Sequence, residues 1–304
     1  MTMKRRTFLG GTLALGASAC VPVDRTVLGR LDARLRIIEA AGGGTLGAEI
    51  HDTGSGASLS INGNRRFGHC SSFKLSLAAM VLARDATGSL DADKRLSWSE
   101  DDLLFVSPFT TRRLGEGATL SELAEATQKY SDNAAANLLL RELGGPAALT
   151  AFWREIGDTT SRLDRTEPSL NNVPQTEIRD TTTPAAMART VAKLAFGEVL
   201  PEARRATLKR WMVETETGAR RVRAGLPEDW VAGDKTGTSI WPGMGSLYVD
   251  IGFVEPPARP PITFATYFRA RDTHDAIDPA SEATLAKIGD IIADFAEVDD
   301  GLPF

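Results

Sequence analysis

Strand-type sequence at both ends of the chain, with a long helical block between, is the feature that most narrows the folds open to these 304 residues. Positions 45–52 and 57–61 read as short β-type runs separated by Thr53-Gly54-Ser55-Gly56, a turn cluster suited to a hairpin. Strand-like runs return at 230–232, 246–253 and 262–268. Between the two groups, apolar residues recur at helical spacing over 73–84, 120–130, 133–143, 147–156 and 184–196. Two more helical patterns, 26–41 and 280–295, flank the strands, and Gly42-Gly43-Gly44 closes the first. The expected class is therefore α/β in the α+β sense: an antiparallel sheet built from both chain ends and covered by helices, with an all-α subdomain inserted. On this reading 25–69 and 215–298 form the α/β part and 70–214 the helical part. Positions 158–183 lack periodicity, and a loop that long in a compact domain is usually functional.

Residues 1–20 stand apart. A basic head, Lys4-Arg5-Arg6, precedes Thr7-Phe8-Leu9, a short Gly/Ala/Leu run and Ala17-Ser18-Ala19-Cys20, the layout of an export signal. The paired arginines resemble a twin-arginine signal, with an ordinary secretory signal as the alternative. Ala17-Ser18-Ala19 suits a signal peptidase. Cys20 suits a lipid anchor, although it lacks the usual leucine three positions earlier, and both outcomes stay open. The expected location is outside the cytoplasm, periplasmic in a diderm cell. Without the signal only Cys70, and Cys20 if retained, remain, so no internal disulfide framework is expected. A formal net charge of -5 argues against nucleic acid as a partner and leaves a small molecule as the default, acting on a monomer. His51, His69 and His274 lie far apart without metal-ligand spacing, so neither a metal nor another cofactor is expected.

The chemistry is concentrated in a few short patterns. Ser71-Ser72-Phe73-Lys74 opens an apolar helical run, so the Lys74 amine can lie beside the Ser71 hydroxyl, with the helix N-terminus adding a positive end. A serine hydroxyl is a weak nucleophile until a neighbouring base takes its proton, which is what such a lysine offers. Ser131-Asp132-Asn133 and then Lys235-Thr236-Gly237 follow in that order. The three together are the signature of class A β-lactamases and penicillin-binding proteins, and over nearly the whole mature length the chain resembles class A β-lactamases. The resemblance implies hydrolysis of penicillins and cephalosporins through an acyl-enzyme on Ser71. It implies a proton relay through Ser131 to the departing nitrogen, an amide from Asn133 for the substrate, and a structural Asp132. Lys235, in an edge strand, would favour the substrate carboxylate together with Thr236. Gly237 would let the ligand approach the backbone, and the N–H groups of Ser71 and Thr238 would form an oxyanion hole.

Glu167 lies in Arg162-Leu163-Asp164-Arg165-Thr166-Glu167-Pro168-Ser169-Leu170-Asn171, which resembles the omega loop of the family, taken here as 162–180. The matching glutamate and asparagine, Glu167 and Asn171, would hold the hydrolytic water. That feature separates a hydrolase from a penicillin-binding peptidase or a sensor that stays acylated. Whether Lys74 or Glu167 accepts the serine proton during acylation is left open by the resemblance. Arg165 with Asp180 would close the loop and Arg162 with Asp164 would brace it. Arg221 occupies a position from which some members supply a second cation for the substrate carboxylate. The aromatic at the cleft entrance falls on Phe105 or Val106. Lys235-Thr236-Gly237-Thr238 is similar to members that hydrolyse carbapenems. Those pair a cysteine beside the catalytic serine with one just after this motif, whereas Ser239 stands there and leaves Cys70 without a partner.

Overall fold

A computed structural model describes residues 25–298; the export signal and Cys20 lie outside the described residues. In chain order the main elements are α1 (Arg25–Gly42), β1 (Thr45–Asp52), β2 (Ser58–Ile61), α2 (Phe73–Ala86), α3 (Leu120–Lys129), α4 (Asn133–Leu143), α5 (Pro146–Glu155), α6 (Pro184–Ala195), α7 (Glu202–Val213), β3 (Val231–Ser239), β4 (Leu247–Glu255), β5 (Ile262–Arg269) and α8 (Pro279–Ala296). The five strands form one antiparallel sheet in the order β2-β1-β5-β4-β3, so both chain ends do build it. Among the described residues no helix is long and apolar enough to cross a membrane.

Why two layers form on this sheet is visible in β4. Strand side chains alternate between faces, and a strand apolar at nearly every position must be covered on both. Val249, Ile251 and Phe253 join the core beneath the helical block, while Tyr248 and Val254 join a second core with Leu31 and Leu35 of α1 and Ile288 and Ile292 of α8. Register carries this alternation across the sheet: Glu49 pairs with Ala265, Ala265 with Ile251, and Ile251 with Lys235. Lys235 therefore faces the helical block and not solvent.

Helix α2 is apolar on every side, and a helix of that kind must be buried all round. All positions from Phe73 to Leu82 are buried, and this takes Lys74 and Ser76 into the interior with them. Ser76 is satisfied by accepting a hydrogen bond from Trp153 Nε1 at 2.9 Å. His69 stacks on Trp153 with ring centroids 4.9 Å apart, His51 meets Ser58 Oγ and His274 meets Tyr248 OH, so the three histidines are dispersed.

The structure adds a helix that the sequence pattern does not show. Helix α7 buries only Leu208, Trp211 and Met212, too few inward positions among its charged residues to give a helical signal. β3 runs from Val231 through Ser239, past the apolar run at its start, and so holds Lys235 in the edge strand expected for it.

Candidate active site

The floor of the site is the junction of three segments. A helical turn, Cys70–Ser72, leads into α2. Its approach to β3 requires Gly237: a Cβ there would stand 2.9 Å from Cys70 Cβ, His69 O and Ser71 N. That contact covers the free edge of β3 and leaves Lys235 fully buried on what is formally an edge strand. The Asp132 carboxylate fixes the third segment. It caps α4 through Ala135 N at 2.8 Å and holds Phe109 N and Thr110 N, each at 2.9 Å, so its structural part is visible as backbone ties.

Around Lys74 the groups converge. Its Nζ lies 2.9 Å from Ser71 Oγ, 3.0 Å from Glu167 Oε1 and 2.9 Å from the carbonyl of Ser131, and it also donates to Asn133 Oδ1. Lys235 Nζ donates to Ser131 Oγ at 3.1 Å and to the Thr236 carbonyl at 2.8 Å. Burial holds the Lys74 ammonium below its ordinary pKa, against the opposing pull of Glu167. Burial, and then repulsion from Lys74, push Lys235 well below the ordinary lysine value. Two lysines are thus held where each readily gives up a proton or gains from an incoming anion.

Glu167 is fixed at both ends. Asn137 on α4 accepts from Glu167 N at 3.0 Å and donates to Glu167 O at 2.9 Å, and Asn171 Nδ2 donates to Glu167 Oε2 at 2.7 Å. Among the described residues Asn171 Oδ1 is buried without a hydrogen-bond partner, an acceptor beside the carboxylate. Residues 162–180 are locked by Asp180, whose Oδ1 accepts from Asp164 N and Arg165 N at 2.7 and 2.9 Å and whose Oδ2 pairs with Arg165 Nε at 2.5 Å. Arg162 and Asp164 pair at 2.5 Å. Removing one partner of a buried pair leaves the other uncompensated, so Asp180→Ala is expected to cost roughly 3–5 kcal/mol. Chemical denaturation of the variant measures this. A loss below about 1 kcal/mol, the range of an exposed pair, would show the loop to be held elsewhere.

The cleft above this floor has a volume of about 750 Å³ and is lined by Ser71, Ser131, Asn133, Glu167, Asn171, Thr236, Gly237 and Thr238, and also by Phe105, Val106 and Trp241. Phe105 and Val106 both line the cleft and are 92% and 45% exposed, and Asn133 Nδ2 donates to the Phe105 carbonyl at 2.8 Å. Arg221 lines the cleft but is only 2% exposed. Its Nε donates to Glu282 at 3.3 Å, Nη1 to the carbonyls of Gly237 and Val249, and Nη2 to Thr238 Oγ1 at 2.6 Å. Four of its five N–H donors are thereby committed within the protein. Cys70 is free and buried, and burial pushes its thiol up to about 12, so it is held as a thiol. Two contributors escaped the motif reading: Asn137, whose only signal is an amide one turn beyond Asn133 in an apolar helix, and Thr217, whose hydroxyl lies 2.6 Å from that of Thr236.

Comparison with known proteins decides the family. The beta-lactamase enzyme family profile matches residues 30–296. The chain belongs to the class A β-lactamases. It is 44% identical over 246 residues to the carbapenem-hydrolyzing beta-lactamase KPC of Klebsiella oxytoca, covering 81% of this chain and 83% of that protein. It is 41% identical over 235 residues to beta-lactamase CTX-M-8 of Citrobacter amalonaticus, covering 77% and 79% respectively. Among solved structures, an ancestral class A beta-lactamase superposes with a TM-score of 0.82 at 45% identity, covering 86% of this chain and 98% of that one. A beta lactamase from Xanthomonas campestris gives 0.82 at 40% identity, covering 88% and 98%. As a class A enzyme the protein is a serine β-lactamase that hydrolyses β-lactams, an activity that confers resistance to them.

Proposed function

We propose that Ser71 is the nucleophile and that its proton travels to Glu167 through Lys74. The observation that carries this reading is the unbroken buried path from Ser71 Oγ to Lys74 Nζ at 2.9 Å and on to Glu167 Oε1 at 3.0 Å, shorter than the direct Ser71–Glu167 separation of 3.4 Å. Ser71 Oγ bonds to the lactam carbonyl carbon, and the tetrahedral oxygen is held by the N–H groups of Ser71 and Thr238, adjacent because Gly237 lets β3 run against the serine turn. The C–N bond then breaks and the nitrogen takes a proton from Ser131 Oγ, which is resupplied by the lysines on either side of it; Lys74 in turn takes back the proton held on Glu167, leaving that carboxylate ionised. Glu167, with Asn171, next removes a proton from water as its oxygen attacks the ester, and passes that proton to Ser71 Oγ as the ester C–O bond breaks and a penicilloic or cephalosporoic acid leaves.

The substrate carboxylate is assigned to Lys235, Thr236 and Thr238. Thr238 Oγ1 accepts from Arg221, so its own hydroxyl proton is free to donate outward. Arg221 thus acts chiefly through Thr238 and its one remaining N–H. Penicillins and cephalosporins are the proposed substrates. One chain supplies every group named, which supports a monomer, and the pattern of residues 1–20 supports export to the periplasm, with a lipid on Cys20 as the anchored form.

The test is excess benzylpenicillin with purified mature protein, following lactam absorbance and intact mass, beside Ser71→Ala. Sustained loss of absorbance in the wild type and neither turnover nor adduct in the variant are expected. Turnover persisting in Ser71→Ala, or a single stoichiometric adduct in the wild type, would overturn the assignment.

A further inference from the structure

The cations already assigned address one carboxylate from buried positions. Arg220 differs from them. Its side chain is 76% exposed on the cleft wall formed with Glu216, Thr217 and Ala219. Its Nε pairs with Glu282 Oε2 at 2.9 Å, while among the described residues its terminal Nη1 and Nη2 meet no hydrogen-bond partner, which leaves the end of the guanidinium unspent. Glu282 also faces Arg221 at 3.3 Å. One carboxylate therefore serves two guanidinium groups, and Arg221 delivers its donors to backbone carbonyls and Thr238. The surplus positive charge of the trio is left at the exposed member, fixed near the cleft by its attraction to a buried anion.

The placement of substrate follows from the reading above, on which this inference rests. With the lactam carbonyl at Ser71 and the ring carboxylate at Thr236 and Thr238, the ring substituent next to that carboxylate leaves past Thr217, whose hydroxyl touches that of Thr236 at 2.6 Å, toward the wall that carries Arg220. We propose that Arg220 is a specificity-determining residue that favours cephalosporins bearing a second negative charge on the substituent beside the ring carboxylate. A guanidinium presents a fork of donors to such an anion, and a cleft with low-dielectric walls screens the attraction less than an open surface does. Glu216 is exposed on the same wall and makes no ion pair among the described residues, so it works against the same anion.

Two cephalosporins with one acyl side chain isolate the effect: ceftriaxone, whose ring substituent is anionic at neutral pH, and cefotaxime, whose acetoxymethyl substituent is neutral. The quantity read is the ratio of their kcat/KM values. In Arg220→Ala that ratio is expected to fall about three- to fivefold, carried by KM, the upper part of the range for one exposed ion pair. Arg220→Lys, which keeps the charge, should hold the ratio within about twofold, and Glu216→Gln should raise it. Raising ionic strength should move the wild-type ratio toward that of Arg220→Ala. An unchanged ratio in Arg220→Ala, an equal loss in Arg220→Lys, or no salt dependence would overturn the proposal. Failure of the underlying site reading shows separately, as turnover of benzylpenicillin by Ser71→Ala.

Discussion

Replacing Glu167 with alanine is expected to convert a turning-over enzyme into one that takes up a single equivalent of benzylpenicillin and keeps it. Two consequences of the geometry combine. The carboxylate that would take a proton from the attacking water is gone, and with it the partner of Asn171 Nδ2 at 2.7 Å. The Lys74 amine, however, loses the charge that raises its pKa, while the burial that lowers it remains. Lys74 is thereby left more often neutral and able to take the Ser71 proton unaided across 2.9 Å. Acylation should survive in slower form while deacylation falls by about 10³-fold or more, the upper range for a positioned general base. Intact mass should show the protein plus one penicillin, persisting long after free drug is removed. A variant that turns over within about tenfold of the wild type would remove Glu167 from the water-activating step.

How much of this was legible beforehand depends on whether a residue acts through a local pattern or through what the fold brings to it. Ser71 and Lys74 share one turn, so their meeting is written in a four-residue spacing. Glu167 is 96 residues from Ser71, and its place beside Lys74 could be inferred only because its loop resembles a known one. Asn137 was not legible: an amide in an apolar helix gives no sign that it will hold both backbone groups of Glu167. Arg221 was recognised as a cation near the site, but its four intramolecular donations arise from strand register and from Glu282 on α8, which no local pattern encodes. Arg220 was not legible, since only the geometry shows that a single carboxylate serves it and Arg221 together. The sheet was legible for the opposite reason, since β4 and β5 must bury both faces and their composition says so.

Lys74→Ala is expected to fail one step earlier, with no adduct. In the wild type Lys74 Nζ is, among the described residues, the one group within 3.0 Å of both Ser71 Oγ and Glu167 Oε1, and removing it leaves those two 3.4 Å apart with no described side chain to carry the proton between them. The same amine lies 3.5 Å from Ser131 Oγ, so the return of a proton to the leaving nitrogen loses one of its two sources. Because groups that act as a unit are non-additive, the acylation rate should fall by about 10³- to 10⁵-fold, and adding Ser71→Ala should cost little more. Lys74→Arg separates proton transfer from charge. A guanidinium restores a cation beside Glu167 and Asn133 but does not deprotonate in this range, so it should recover folding stability without recovering acylation. Stability also tests the burial argument. Lys74 is fully buried and held below its ordinary pKa, so it is costly to charge, but its loss leaves the Glu167 carboxylate, 1% exposed, without its nearest cation. The second effect should win, because an unpaired buried charge costs roughly 3–5 kcal/mol. Lys74→Ala should therefore unfold at lower denaturant than the wild type, and the double variant Lys74→Ala/Glu167→Gln should regain part of that loss while remaining unable to acylate. Acylation of Lys74→Arg at near wild-type rate would show that the lysine supplies charge alone and that the serine proton goes directly to Glu167.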